Sequence, residues 1–225
     1  GILTGGLISQ RIEGTPQGSP LSPLLSNIVL DELDKELEKR GHQFCRYADD
    51  CNIYVRTHKS GERVMQSIGK FIEERLKLKI NRQKSKVVPS CDTKFLGYRI
   101  VKDGILTISP VNINRLKDKV RKITKRNRGV PLKLLISELN GVLRGWLQYF
   151  RYSRWRGDIV GLDGWIRRRL RCYNLKLCQN VYTIKLFLSS HGVDETQAWN
   201  LAKSGKGWWR LSNVPPSTKA MNLKW

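Results

Sequence analysis

Tyr47-Ala48-Asp49-Asp50 places two carboxylates side by side between two short β-prone runs, QFCRYA and CNIYV. Adjacent acids repel each other, and at the tip of a hairpin a divalent cation relieves that repulsion. Mg²⁺ suits such a pair, because it takes one or two carboxylates and completes its shell with water and substrate phosphates. The chemistry this tip could support is nucleotidyl transfer. There, two metals about 3.5–4 Å apart activate an attacking hydroxyl and stabilise a leaving pyrophosphate. A solvated Asp-Asp surface turn is the competing reading of the tetrapeptide alone.

Upstream, GTPQGSPLSPLLSNI is a loop running into a helix. Gly14 and Gly18 let another molecule approach the backbone closely, and the Gln17 amide can hydrogen-bond to it. Downstream, the chemistry is that of a polyanion grip. Lys117 and Arg121 stud one helical segment, Arg151, Arg154 and Arg156 follow a second, and Arg167, Arg168, Arg169 and Arg171 crowd a third. Helical spacing puts Arg168 and Arg171 on one face, as it does Arg167 and Arg171, with Arg169 pointing elsewhere. All seven tryptophans lie in this half. Trp146 and Trp165 fall near apolar stripes and read as core. Trp208 and Trp209, in the SGKGWWR loop, either stack on unpaired bases or clamp the C-terminal segment. His42, His58 and His191 are isolated and are assigned no role.

The charge balance agrees with that grip. The 225 residues carry a formal charge of +23, and the pI is about 10.2. Residues 1–109 hold 18 Lys+Arg against 13 Asp+Glu, and residues 110–225 hold 24 against 6. So basic a second half favours a phosphate-bearing partner, since neutralising phosphates releases condensed counterions. Hydrophobic residues make up 40%, which is ordinary for a globular chain. No apolar run is long enough to cross a membrane, and the start lacks the pattern of a signal peptide. The five cysteines form no CxxC pair, which favours free thiols in a reducing compartment over a disulfide or zinc framework.

The elements that must position these residues follow from periodicity. Leu21, Leu24, Leu25, Ile28, Leu33 and Leu37 predict a helix, capped by Ser19 or Ser22 and ended by Gly41. The acidic hairpin comes next, with Asp49-Asp50 as its turn, then a helix over 61–77. Short strands are expected near LKI, KVV, FLGYRIV and ILTIS, with Asp103-Gly104 turning between the last two. From Pro110 the period is helical. Ile113, Leu116, Val120 and Ile123 mark one helix. Leu132, Leu135, Ile136, Leu139, Leu143, Trp146 and Phe150 mark a second after Pro131. Leu162, Ile166, Leu170, Tyr173 and Leu177 mark a third, from about Leu162 to Gln179. The expected class is α+β, divided into 1–109, a helical bundle over 110–181, and a C-terminal extension over 182–225.

In this order, GTPQGSPLSPLLSNIVLDELD, RYADD, LKINRQKSKV and KFLGYRI resemble the palm of a reverse transcriptase. ELNGVLRGWLQYF, LDGWIRRRLRCYNLKL and GKGWWRLSNVPP resemble the maturase-specific thumb of group II intron-encoded proteins. The resemblance runs from about Gln10 to the C-terminus. It implies a partial polymerase palm followed by a helical thumb, and RNA-directed DNA polymerase activity with two Mg²⁺. Asp49 and Asp50 resemble the metal-binding carboxylates. Gln17, Gly18 and Ala48 resemble positions lining the incoming dNTP and template base. Lys84 resembles the lysine near the triphosphate, and Phe95, Leu96 and Gly97 the grip on the primer end. Lys117, Arg121, Arg151, Arg154, Arg167, Arg168 and Arg171 would hold intron RNA and the RNA–DNA template–primer. A bacterial cytoplasmic location follows.

The sequence departs from that family in one respect. A further Asp is expected on a strand ahead of the Gly/Gln loop, and Gly1 to Gln10 contain no Asp or Glu. An N-terminally truncated chain, inactive in polymerisation unless an N-terminal fragment of the same protein completes it, is therefore expected. No Cys/His cluster follows the thumb, so DNA cleavage is not expected. The alternative is a non-catalytic RNA-binding splicing cofactor, with the palm as a platform.

Overall fold

The structure is a computed structural model that describes residues 2–4, 7–9, 20–101, 104–154 and 156–222, with backbone alone for 2–9 and 156–158. The chain forms two compact units, Gly1–Phe95 and Leu96–Trp225. The class is α+β, as expected.

The first unit opens with a small antiparallel pair, β1 (Ile2–Thr4) and β2 (Leu7–Ser9), in which Leu3 faces Ile8. Helix α1 (Leu21–Lys39) follows. Its N-cap is Pro20, with no side-chain cap, so the expected capping by Ser22 is not found; Ser19 lies outside the described residues. The C-terminal end follows expectation. Gly41 has φ 71, its N–H bonds to Glu38 O (2.9 Å), and His42 N–H bonds to Leu37 O (3.0 Å), which closes a Schellman motif. Only part of the predicted stripe is core. Leu33 and Leu37 are buried, whereas Leu21, Leu24, Leu25 and Ile28 are 61, 57, 45 and 60% exposed. Among the described residues, the apolar core shared with the acidic hairpin and the next helix takes Leu30, Leu33 and Leu37 from α1.

That hairpin is β3 (Gln43–Tyr47) and β4 (Asp50–Tyr54). Helix α2 (His58–Glu74) begins three residues earlier than predicted, because Thr57 Oγ1 caps it by accepting from Ser60 N (3.1 Å). Leu33, Leu37 and Ile68, with Phe44, Ile53, Val64 and Phe71 around them, form the core of the unit. The strands expected at LKI and KVV do not form. Ile80 and Val87 lie against α2 instead of on a sheet, while Leu78 is exposed. A Cβ at Gly61 would stand 2.5 Å from Val87 Cγ1, and one at Gly69 would stand 3.4 Å from Ile80 Cδ1. Two glycines thus open the helix surface to this extended segment. The unit ends with β5 (Lys94–Phe95).

The second unit begins with β6 (Tyr98–Ile100) and β7 (Leu106–Ile108), paired antiparallel with Arg99 opposite Thr107. Of the predicted Asp103-Gly104 turn, Asp103 lies outside the described residues and Gly104 has φ 72. Helix α3 (Pro110–Ile123) starts at the predicted proline, and α4 (Leu132–Tyr149) follows Pro131. Helix α5 (Arg156–Leu177) begins six residues before the predicted Leu162. Leu116, Val120, Ile123, Leu135, Leu139, Leu162, Ile166 and Tyr173 form one core, with Trp146 and Trp165 packed against it, as the stripes require. Tyr173 is fully buried, and its hydroxyl donates to Val130 O (2.7 Å) while accepting from Val130 N (3.0 Å), which fixes the α3–α4 connection.

The last residues form four further helices, α6 (Val181–Ser190), α7 (Glu195–Lys203), α8 (Trp208–Leu211) and α9 (Pro215–Ala220). They bury a second core of Leu175, Ile184, Leu188, Leu201, Leu211 and Met221. Trp208 and Trp209 therefore sit on a helical turn, not in the loop expected of SGKGWWR. The two rings differ in environment. Trp208 packs against that core, while Trp209 is 39% exposed.

Candidate functional site

The register of the hairpin sets the geometry of its acidic tip. Tyr47 faces Asp50, so the two-residue turn is Ala48-Asp49 and Asp50 is the first residue of β4. The expected Asp49-Asp50 turn is thereby shifted by one residue. A two-residue turn fits strand twist only with positive φ at its first position, and Ala48 has φ 52. A side chain in that region costs roughly 1–2 kcal/mol, so something must hold the turn. Arg46 does. Its Nη1 donates to Ala48 O (3.0 Å) and to Asn27 Oδ1 (3.1 Å), while Nε and Nη2 donate to the two oxygens of Asp34 (2.7 and 2.5 Å).

Strand alternation explains why Arg46 points inward. Phe44 and Arg46 share the half-buried face of β3, and Gln43, Cys45 and Tyr47 share the exposed one. An inward guanidinium requires a partner, and α1 supplies Asp34 and Asn27 seven residues apart on one face. The Asp34 carboxylate holds Arg46 above its ordinary pKa, against the opposing effect of burial. Arg46 belongs to RYADD, but the motif by itself does not mark it as a functional residue. The available signal was a charge at an apolar position of an alternating strand.

Opposite Arg46 stands Cys51. Burial, reinforced by the Asp34 charge, pushes its thiol up to about 11, which keeps it protonated at neutral pH. Asp49 and Asp50 themselves are exposed. Among the described residues, no group of three or more His, Cys, Asp or Glu side chains is placed to hold a metal. The tip therefore offers a pair of carboxylates, which suits Mg²⁺ completed by phosphate and water but is short of a full two-metal set.

Lys84 is carried by a separate turn after α2. Asn81 Oδ1 accepts from the N–H groups of Gln83 and Lys84 (both 3.2 Å), forming an Asx turn that leaves the Lys84 side chain exposed. Gln17 and Gly18 lie outside the described residues.

Phe95 closes β5, and the turn after it, Leu96-Gly97, has φ 50 and 83, the pattern of a type I′ turn. Within the second unit this turn is tightly held. Tyr149 Oη donates to Leu96 O (3.0 Å), and Asn112 Nδ2 and Ser109 N donate to Gly97 O (3.1 and 3.0 Å). Tyr98 packs edge-on against Phe150 (5.1 Å) and donates its hydroxyl to Tyr149 O (2.5 Å). A Cβ on Gly97 would stand 2.4 Å from Asn112 Nδ2, so only glycine fits.

The predicted phosphate ligands have varied surroundings. Lys117 is half-buried on α3, and Arg154 is exposed, its backbone N–H bonded to Leu106 O (2.9 Å). Arg151 lies over the Tyr152 ring at 4.7 Å. Arg121 pairs with Asp118 (2.6 Å) and Arg167 with Asp163 (2.7 Å). Arg168 Nη2 bonds to Trp209 O (3.0 Å), and Arg171 Nε bonds to Ser212 O (2.8 Å), so both tie α5 to the α8 segment. Arg169 points the other way, its Nε on Thr124 Oγ1 (2.5 Å) at the end of α3. The face-sharing expected from helical spacing holds for Arg168 and Arg171. Periodicity could not reveal that both reach backbone carbonyls.

Among the described residues, no helix is long and apolar enough to cross a membrane. Comparison with known proteins finds two families, matched by successive parts of the chain. Residues 8–100 match the reverse transcriptase (RNA-dependent DNA polymerase) family, and residues 113–185 match the group II intron, maturase-specific domain. The chain is also similar to Protein YkfC of Escherichia coli (strain K12). The two are 30% identical over 137 residues, covering 45% of this chain and 36% of that protein.

Proposed function

We propose, from the premise that this chain belongs to the group II intron reverse transcriptase and maturase family, that it serves RNA-templated DNA synthesis and intron RNA binding. The observation that carries the proposal is the acidic turn. Two exposed carboxylates sit at a strained tip clamped by Arg46, inside the stretch matching the reverse transcriptase family. Asp49 and Asp50 would hold Mg²⁺, which when bound activates the primer 3′-hydroxyl and offsets charge on the leaving pyrophosphate. The chain's own groups do the rest. Ala48 offers backbone at the tip against the incoming dNTP, with Gln17 and Gly18 as the other substrate-binding positions. Lys84 provides a cation toward the triphosphate and can return a proton to pyrophosphate. Phe95, Leu96 and Gly97 align the primer end. Lys117, Arg121, Arg151, Arg154, Arg167, Arg168 and Arg171 contribute to the field that draws RNA to the second unit.

The domain division proposed is palm over 1–109, thumb over 110–181 and its extension over 182–225. A complete metal pair needs one more carboxylate than Asp49 and Asp50 supply. The chain alone is accordingly expected to copy a primed RNA template poorly with Mg²⁺ and dNTPs. Joining to the chain a segment that carries a strand Asp should give copying, which Asp49→Asn then abolishes. RNA affinity should be unchanged by Asp49→Asn. Copying that survives this substitution would remove the acidic turn from the mechanism.

A further inference from the structure

A second site lies wholly within the helical unit. Arg121, Thr124 and Arg126 from α3 and the segment after it, Trp165, Arg169 and Cys172 from α5, and Trp209 from α8 enclose a cleft of about 330 Å³. Thr124 and Cys172 are buried, Trp165 and Arg169 are half-buried, and Arg121, Arg126 and Trp209 are exposed. The cleft thus has a small polar floor, aromatic sides and a basic mouth.

Its charge is one-sided. Three guanidinium groups line it and no carboxylate does. The acid paired with Arg121, Asp118, is itself largely exposed. Burial, then the neighbouring charges of Arg121 and Arg126, depress the pKa of Arg169. Three cations held together beside a single exposed carboxylate favour an anion from outside, and guanidinium forks suit phosphate oxygens. The aromatic lining adds a second requirement. The Arg168 guanidinium lies 4.0 Å from the Trp209 ring centroid, and this braces an indole that remains 39% exposed. Arg121 and Arg169 lie over Trp165 at 5.6 and 5.4 Å. A phosphate alone would not need the indoles, and an apolar ligand would not need three arginines.

Size selects among ligands that carry both a ring and a phosphate. The volume is at the small end of the roughly 300–1,000 Å³ of ligand pockets, so a duplex is excluded and one nucleotide is admitted. Proteins read RNA chiefly through unpaired bases that leave the stack for aromatic or guanidinium planes. We propose that this cleft takes a single unstacked nucleotide of the bound RNA, its base against Trp209 and its phosphate between Arg121 and Arg126. The inference rests on the RNA-binding reading above and specifies where a non-helical feature of that RNA is recognised.

The test measures anisotropy of three labelled RNAs with the full chain. One is a short duplex with a single bulged adenosine, one has an abasic ribose at the bulge, and one is fully paired. The wild type should bind the bulged duplex about tenfold more tightly than the abasic one, the range of one base–aromatic stack. Trp209→Leu and Arg126→Gln, both at exposed positions and checked by thermal melting, should each erase that preference while still binding the paired duplex. Equal wild-type affinity for bulged and abasic RNA overturns the cleft but leaves RNA binding standing. Binding none of the three overturns both. A bulge preference that survives both substitutions places recognition elsewhere and also overturns the proposal. Competition by adenosine 5′-monophosphate identifies the source. Binding that depends on Trp209, with no bulge preference, assigns the cleft to a free nucleotide and refutes the RNA assignment.

Discussion

Arg46 is the residue on which the acidic tip depends most. It satisfies three acceptor atoms on α1, from Asp34 and Asn27, and one on the turn, and its side chain and that of Asp34 are only 13 and 24% exposed. Arg46→Lys keeps the charge but loses the paired geometry toward Asp34. Leaving a half-buried carboxylate poorly matched should cost about 2 kcal/mol, seen as a lower urea midpoint. Mg²⁺ affinity at the tip should fall as well. Unchanged Mg²⁺ affinity in a destabilised variant would confine Arg46 to a folding role. Its neighbour Cys51 gives a pH test. Its folded pKa is raised, so its contribution to stability is complete below the ordinary value of 9.0 and is lost as pH rises toward about 11. The raised hydroxyls of Tyr54 and Tyr98 act in the same direction. Chain stability should therefore fall across this alkaline window, and Cys51→Ala should flatten part of the fall. At pH 8, iodoacetamide should label the exposed Cys45 well before Cys51.

Among the elements, α2 shows how small residues decide a packing arrangement. Val87 occupies the place that a side chain at Gly61 would fill. Gly61→Ala should destabilise the chain by about 1–3 kcal/mol, and Val87→Ala on that background should restore most of the loss in a double-mutant cycle. Additive losses would show that the two do not share this space. This is also where the sequence was hardest to read. LKI and KVV have strand composition, but a strand needs a partner edge, and here the partner is a helix relieved by glycine. Helices with long stripes, α3 and α4, were legible because every third or fourth residue meets the same core. The stripe of α1 was legible as a helix but not as a surface, since periodicity does not say how far a neighbour extends. The tip carboxylates were legible from their rarity. The one-residue shift of the turn was not, because it depends on pairing register.

For the molecule as a whole, the sign and placement of charge decide behaviour. The second half holds most of the excess of Lys and Arg, but several arginines there are already engaged by Asp118, Asp163 and backbone carbonyls. The slope of log affinity for RNA against log salt counts phosphates neutralised, at about 0.7–0.9 per contact. Arg154→Gln, at an exposed position, should reduce that slope by about one contact. Arg171→Gln, at a side chain held by Ser212 O, should lower the melting temperature more than it lowers the slope. The reverse pattern would mean that the carbonyl-bound arginines let go to reach the nucleic acid.

Tyr149 and Leu96 are 53 positions apart in the chain, yet one hydroxyl joins them, and Tyr98 returns the tie to the same tyrosine. The small bend after β5 and the far end of α4 are therefore shackled. When that long rod tilts, the bend is dragged along, and a lesion at Tyr149 should misalign whatever rests on the bend while leaving the remote arginines untouched.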